Sequence, residues 1–387
     1  MHSLYIHIPF CVRKCTYCDF CSYAGMDRLI PAYVAALCDE VRLRAARWRS
    51  ARFDTLYVGG GTPTLLTAAQ ITSVLAACDE HLDLTNLREA TIEANPGTLS
   101  LEQLRELRRA GLDRISLGVQ SLVDDELALL GRIHTAQEAV AAVQMAREAG
   151  FERISLDLLM GLPGQSLAHW QRSLEQAIQL RPEHLSLYGL ALEDGTPLKR
   201  DVDRGRYPEP DEHLGADMYR WAEERLRCQG YAHYEISNWA RRETLPDGQR
   251  SAWNNLCRHN LRYWRNGHYL GLGTAAVSYD GRTRCRNTGN LRAYISQVGQ
   301  GRLPIAESET LDAAGRIGET MMLALRTSRG MPWDRFRRRF GRSLQEVYGD
   351  VIDQLVADGL LVADERGIRL SRRGRLLGNR VFAGFLL

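Results

Sequence analysis

No run of apolar residues in this 387-residue chain approaches the ~20 needed to cross a bilayer, so no transmembrane helix is expected. No basic, apolar leader precedes the first strand-like run, and a cytoplasmic protein is expected. Charge of one sign is scarce as well. The 50 basic and 47 acidic side chains leave a formal net charge of +3, which gives no reason to expect nucleic acid despite abundant arginine. The nine cysteines lack the spacing of a disulfide framework and suit a reducing compartment. Cys38 and Cys78 read as small core residues of helices, and Cys228, Cys257 and Cys285 show no spacing for a second cluster. What is present is a chain 44% apolar, with room for a catalytic domain and one or two smaller ones.

The first half alternates strand and helix. Strand-like runs fall at Leu4–Pro9, Thr55–Gly59, Ala90–Ala94, Arg114–Val119, Ile154–Met160 and Leu185–Leu190. Helical patterns separate them at Ile30–Arg49, Ala68–Leu82, Leu101–Ala110, Ala136–Ala149 and Leu167–Leu180. The strands are almost continuously apolar, as expected when helices cover a parallel sheet. Repeated βα units leave an open sheet or a barrel, with function at the C-terminal ends of the strands.

Directly after the first run, Tyr5-Ile6-His7-Ile8-Pro9-Phe10, come Cys11, Cys15 and Cys18 at spacings of four and three. The loop is short enough for the three sulfurs to converge on one point. A 4Fe–4S cluster normally takes four thiolates, so three leave one iron open for chemistry. Cys21 offers a fourth thiol and a second reading, a structural zinc knot. Zinc sites usually pair two Cys-x-x-Cys hooks across a longer gap, which is missing here, and iron–sulfur is preferred.

This pattern resembles the radical S-adenosylmethionine (radical SAM) proteins. The wording Tyr-Ile-His-Ile-Pro-Phe-Cys resembles the branch that holds oxygen-independent coproporphyrinogen III dehydrogenase and the HemW-type heme chaperones. The resemblance implies an α/β fold, an incomplete (β/α)6 TIM-like barrel with a C-terminal α+β, winged-helix-like domain. It implies a 4Fe–4S cluster on Cys11, Cys15 and Cys18, with SAM chelating the open iron through its amino and carboxylate groups. An electron from the cluster can then cleave SAM to a 5′-deoxyadenosyl radical. Tyr5 is carried over as a cofactor-binding residue.

Each further motif falls at a predicted strand end. Gly59-Gly60-Gly61-Thr62-Pro63-Thr64 follows the second strand; its glycines allow close backbone approach and expose N–H groups to an anion. It reads otherwise as an ordinary glycine turn. The resemblance makes Gly60, Gly61 and Thr62 the loop that holds the methionyl end of SAM. Glu93 ends the third strand, where a buried carboxylate needs partners. Ribose hydroxyls are the family's partners, and a barrel arginine is the alternative. Gln120, Arg132 and Asp157 match positions that contact SAM in this branch. Arg132 suits a carboxylate bidentately or caps a helix. His134 reads as structural.

A polar stretch, Asp201–Asp211, marks a junction, and a helix Glu212–Gln229 follows. The expected division is a barrel over 1–200, an extension over 201–300 and a cap over 301–387. After a loop at Arg241–Gln249 comes His259-Asn260-Leu261-Arg262-Tyr263-Trp264. His259 reads two ways: an imidazole ligand for heme iron walled by Tyr263 and Trp264, with Arg258 and Arg262 for propionates, or a histidine that closes a turn among core aromatics. The element resembles a HemW-type signature proposed for heme handling. The chain departs from that pattern at Val277, where the family has a second histidine. From about Ala306 the pattern is helical, with Met321–Leu325, Trp333–Phe340 and Leu344–Asp358, then short strands and a closing helix Ser371–Phe382.

Three features favour the chaperone over the dehydrogenase: the first cluster thiol is already residue 11, Phe20 stands where the dehydrogenase has a further Cys, and the His-Asn-x-x-Tyr-Trp element is present. The expected function is a heme chaperone that binds heme, a cluster and SAM and passes heme to acceptor apoproteins, without coproporphyrinogen dehydrogenase activity. An electron donor is needed if SAM is cleaved, and a homodimer is allowed. Coproporphyrinogen decarboxylation and radical SAM methyl transfer stay as alternatives.

Overall fold

The computed structural model describes residues 1–245 and 248–386. Pro246 and Asp247 of the expected loop 241–249 lie outside the described residues. Six parallel strands form the centre: β1 His2–Ile8, β2 Phe53–Gly60, β3 Glu89–Ala94, β4 Arg114–Gln120, β5 Arg153–Met160 and β6 His184–Gly189. They pair in sequence order, each joined to the next through a helix, as right-handed crossovers require. Their apolar runs are buried from both sides; Leu4, Ile6, Leu56, Val58, Ile92, Ile115, Leu117 and Leu156 share one core with the covering helices. Side-chain caps start those helices where the sequence changes period. Thr67 and Thr135 form capping boxes with Gln70 and Glu138 ahead of Ala68–His81 and Ala136–Glu148.

The sheet continues beyond the expected six strands at both edges. β7 Tyr231–Glu235 and β8 Asn238–Arg241 add antiparallel to β6. β9 Tyr269–Leu272 adds parallel to β1, followed by β10 Val277–Tyr279, β11 Thr283–Asn287 and β12 Ile305–Thr310. The whole is one twelve-stranded sheet. The pattern from Ala306, expected as helical, opens with β12. Its glutamates explain why: Glu307 and Glu309 stand opposite Arg286 and Arg284 of β11, a cross-strand charge ladder with period two.

The helix Arg258–Trp264 seals the N-terminal ends of the barrel strands. Glu89, at the start of β3, accepts from the backbone N–H groups of Arg258 and His259 at 3.0 Å each. Arg114, at the start of β4, donates to the carbonyls of Asn255 and Leu256 and lies 3.8 Å from Glu89. The C-terminal region keeps its own core, with Met321, Phe336, Leu344, Ile352, Ile368 and Phe385 at its centre. It comprises helices Ala313–Leu325, Trp333–Phe340 and Leu344–Ala357 and a three-stranded sheet built on the hairpin Leu361–Asp364/Gly367–Leu370. The closing helix breaks at Leu377 into Arg372–Leu376 and Gly378–Ala383.

Candidate functional site

The C-terminal ends of the strands open into a cavity of about 350 Å³. Cys11, Cys15 and Cys18 line it, and so do Gly60, Gly61, Glu93, Gln120, Arg132 and Asp157. Residues up to 146 positions apart in sequence thus face one space because successive strands end there. Tyr5, Thr62 and His259 stand outside that lining. Tyr5 lies one layer below, its ring 6.2 Å from that of Tyr57 and its hydroxyl 3.0 Å from His7 Nδ1. Thr62 stands behind Cys11, Oγ1 to Sγ 3.8 Å.

The cysteine loop is pinned at several points. Phe10–Cys11 pairs with Tyr23–Ala24, the Thr16 N–H and hydroxyl donate to the carbonyls of Leu130 and Leu129, and Arg13 donates to those of Gly131 and Arg132. The three thiols line one cavity. Among the described residues no group of three His, Cys, Asp or Glu side chains closes around a single ion. A cube that takes one thiolate per iron needs its thiols spread, whereas tetrahedral zinc needs them together. Cys21 turns away from the cavity, its Sγ 3.4 Å from the Gly289 carbonyl oxygen, so the four-thiol knot is not assembled here. Burial raises the proton affinity of Cys11 and Cys18.

The glycine loop lines the cavity at Gly60 and Gly61 and also seats the cysteine loop. Three of its N–H groups are used internally: Gly60 to Glu93 Oε2 at 3.0 Å, Gly61 to the Ile8 carbonyl at 2.8 Å and Thr62 to the Phe10 carbonyl at 2.7 Å. A side chain at Gly60, where φ is +120°, would meet the His7 ring at 2.7 Å. One at Gly61 would meet the Phe10 carbonyl oxygen at 2.6 Å and Cys11 Sγ at 2.9 Å. These glycines let the cysteine loop lie flat against the end of β2, and they hold Glu93 rather than present free donors to an anion.

Two carboxylates face each other across the floor of the cavity. Glu93 accepts from the Tyr57 hydroxyl at 2.7 Å as well as from Gly60. Burial pushes its pKa up to about 7; the nearby Asp157 adds to the rise, and the Tyr57 and Gly60 donors oppose it. Asp157 is also raised by burial, against the hydroxyls of Ser186 and Ser116, the latter at 3.0 Å. Arg132 donates to Asn95 Oδ1 at 2.5 Å and to the Gly118 carbonyl at 2.7 Å, and its Nη1 reaches Cys15 Sγ at 3.4 Å. Its Nε is buried without a partner. Gln120 is held at φ +68°, a left-handed backbone that costs a non-glycine residue about 1–3 kcal/mol and persists where the site requires it.

These features fit the group the resemblance implies: three thiols on one cavity for a cluster, two carboxylates able to receive hydroxyl or ammonium donors, and an arginine with a free N–H. Sequence reasoning missed Tyr57, Asn95 and Ser116. Asn95 links Arg132 to Thr62, donating to Oγ1 at 2.7 Å. Asn95 and Glu93 are two positions apart and Tyr57 sits on the neighbouring strand, so period two at each strand end was the available signal.

His259 is 1% exposed and lies at the opposite, sealed end of the barrel. Its Nδ1 is 3.0 Å from Thr55 Oγ1 and its Nε2 3.0 Å from the Tyr263 hydroxyl. Burial and Arg262 hold its pKa down to about 3. The expected iron-facing imidazole is therefore corrected: both ring nitrogens are engaged, and the ring packs 5.1 Å from that of Tyr57. His134 is a structural histidine, with Nε2 3.1 Å from the Val119 carbonyl oxygen.

Comparison with known proteins gives a consistent set of relatives. The radical SAM superfamily profile matches residues 5–177, and that of the HemN C-terminal domain matches residues 311–377. The heme chaperone HemW of Bacillus subtilis is 37% identical over 387 residues, covering 100% of this chain and 99% of its own. That of Mycobacterium tuberculosis H37Rv is 37% identical over 98% of this chain and 93% of its own. Mitochondrial radical S-adenosyl methionine domain-containing protein 1 of Danio rerio is 32% identical over 100% of this chain and 87% of its own. Among solved structures, coproporphyrinogen III oxidase (HemN) of Escherichia coli superposes with a TM-score of 0.84 at 24% identity, over 99% of this chain and 89% of that one, a likeness of fold.

Proposed function

The chain belongs to the HemW family of the radical SAM superfamily, and on that premise we propose that it is a heme chaperone that carries a 4Fe–4S cluster and SAM and delivers heme to acceptor proteins. The full-length identity with proteins named heme chaperones carries the reading. The mouth cavity supports the cofactor part of it.

In this reading Cys11, Cys15 and Cys18 would hold the cluster, and Glu93 and Asp157, on the same cavity, would receive polar groups of SAM. When bound, the cluster supplies an electron and an open iron. The chain's own residues do the rest. Glu93, oriented by Tyr57 and Gly60, accepts ribose hydroxyls. Arg132, fixed by Asn95 and the Gly118 carbonyl, keeps a cation beside Cys15. Gln120 and Asp157 offer polar contacts at the ends of β4 and β5. Gly60, Gly61 and Thr62 seat the cysteine loop, and Tyr5 supports Tyr57 from below.

No helix among the described residues is long and apolar enough to cross a membrane. All nine cysteines are free, which supports a reducing, cytoplasmic setting. Cleavage of SAM would need an external electron donor, and a homodimer is the oligomer to look for.

The test uses anaerobically reconstituted protein, presented with hemin and an apo-acceptor in one arm and with coproporphyrinogen III plus reductant in the other. A Soret band that passes to the acceptor, with no carbon dioxide released, is the expected result. Carbon dioxide release from coproporphyrinogen III without hemin binding would assign the chain to decarboxylation instead.

A further inference from the structure

On the face opposite the cavity, a cleft of about 850 Å³ opens between the start of β1, the turn before β9 and the C-terminal helices. That lies within the ~300–1,000 Å³ range of small-molecule sites. Three arginines and two histidines line it, Arg316, Arg339, Arg342, His2 and His268, with no carboxylate among the lining residues. Apolar surface comes from Ile317 and Phe340. Two acids near it are already engaged: Glu319 binds Arg284 at 2.5 Å and Asp280 binds Arg47 at 2.6 Å. Arg339 spends N–H groups on the carbonyls of Arg265 and Asn266 and forms no ion pair among the described residues, and the Nε of Arg316 is buried without a partner.

The imidazoles are equally unspent. The His268 ring is exposed and makes no hydrogen bond among the described residues, and it lies 5.3 Å from the ring of His2, whose Nδ1 has no partner. Burial and the surrounding cations hold both histidines below their ordinary pKa, in the neutral form that ligates metal. Unpaired arginines beside neutral imidazoles on a partly apolar wall suit an anionic metalloporphyrin, since carboxylates take guanidinium forks and iron takes an imidazole nitrogen.

We propose that this cleft is the heme site, with His268 as an iron ligand and Arg316, Arg339 and Arg342 receiving the propionates. This rests on the heme-binding reading above and supplies the site that the sealed His259 does not. The step is ligand exchange: an imidazole lone pair replaces water or hydroxide on ferric iron, with no change in oxidation state.

The reconstituted full-length protein is titrated with hemin, with iron-free protoporphyrin IX and with hemin dimethyl ester. The His2→Ala/His268→Ala double variant, which removes the neighbouring substitute ligand, should shift the Soret band and weaken hemin at least about tenfold while leaving protoporphyrin IX unchanged. The Arg316→Gln/Arg342→Gln variant should weaken hemin and protoporphyrin IX by about tenfold each and spare the dimethyl ester. Arg342→Glu alone, on an exposed residue, serves if the double variant folds poorly, with SAM affinity as the check on the barrel. Hemin bound by all these variants with wild-type affinity and spectrum would overturn the site and leave the chaperone reading standing. Wild-type protein that binds no hemin would overturn both.

Discussion

Replacing Tyr57 with phenylalanine removes one hydroxyl from the wall of the strand-end cavity and keeps the ring that packs on His259. The hydroxyl donates to Glu93 at 2.7 Å, and Glu93 titrates at about 7 because burial outweighs its two donors. A hydrogen bond to a charged group contributes about 1.5 kcal/mol, close to one pKa unit, so the variant's Glu93 should titrate near 8. The direction follows from which form the bond favours: the hydroxyl stabilises the carboxylate, so its loss favours the proton.

At pH 7 the ionised fraction of Glu93 then falls from about one half to about one tenth. If the carboxylate accepts ribose hydroxyls, SAM affinity at that pH should drop about fivefold, and the gap should close to less than about twofold near pH 9, where both proteins are ionised. Calorimetric titration of the cluster-loaded proteins with SAM across about pH 6–9 reads this directly. Binding curves that coincide at every pH would show that Glu93 does not take the ribose. A loss equal at every pH would show that Tyr57 acts through packing alone.

Cys21→Ala should retain four irons on reconstitution, and alanine at Cys11, Cys15 or Cys18 should not, as measured by iron and sulfide analysis. Glu93→Gln removes a group that titrates near its ordinary 4.5 when unfolded and at about 7 when folded. Wild-type apoprotein should therefore lose up to about 3 kcal/mol as pH rises through that window, and the glutamine variant should not, in thermal scans at about pH 5 and 8. Gln120→Gly relieves a left-handed backbone and removes a cavity side chain, so chemical denaturation should show about 1 kcal/mol more stability while SAM binds more weakly. His259→Ala orphans Thr55 and Tyr263 and opens a cavity under Tyr57, and urea unfolding should report a loss of about 2–4 kcal/mol with the Soret band of the heme complex unchanged.

The central strands were legible because each is a nearly continuous apolar run bounded by turn residues, and the observed limits lie within a few positions of the expected ones. The cavity lining followed from the family resemblance, which named Glu93 and Asp157, together with the rule that function collects at strand ends. The added strands were not legible for a physical reason. β9 has four residues and β10 three, too few to show a period, and their pairing is a matter of main-chain hydrogen bonds that any sequence can make. The glycine loop was placed at a strand end, but its second use, seating the cysteine loop, was not legible. Sequence shows that side chains are missing at Gly60 and Gly61; it does not show that His7 and Cys11 occupy the space they leave.

The His-Asn-x-x-Tyr-Trp element marks the limit of reading from local chemistry. A histidine among aromatics and arginines suits a flat iron-bearing ligand and a barrel plug equally well, because both need a neutral imidazole against rings. What decides between them is Thr55, 204 residues away, and Glu89, whose carboxylate takes the N–H groups of Arg258 and His259. Those partners hold the element as a seal on one end of the barrel and leave no nitrogen for iron. The seal touches Tyr57, and Tyr57 touches Glu93, so the element remains coupled to the cavity at the other end. A change at His259 can thus disturb Glu93 and the cavity without contacting them, and an effect of such a variant on heme transfer does not by itself identify a ligand.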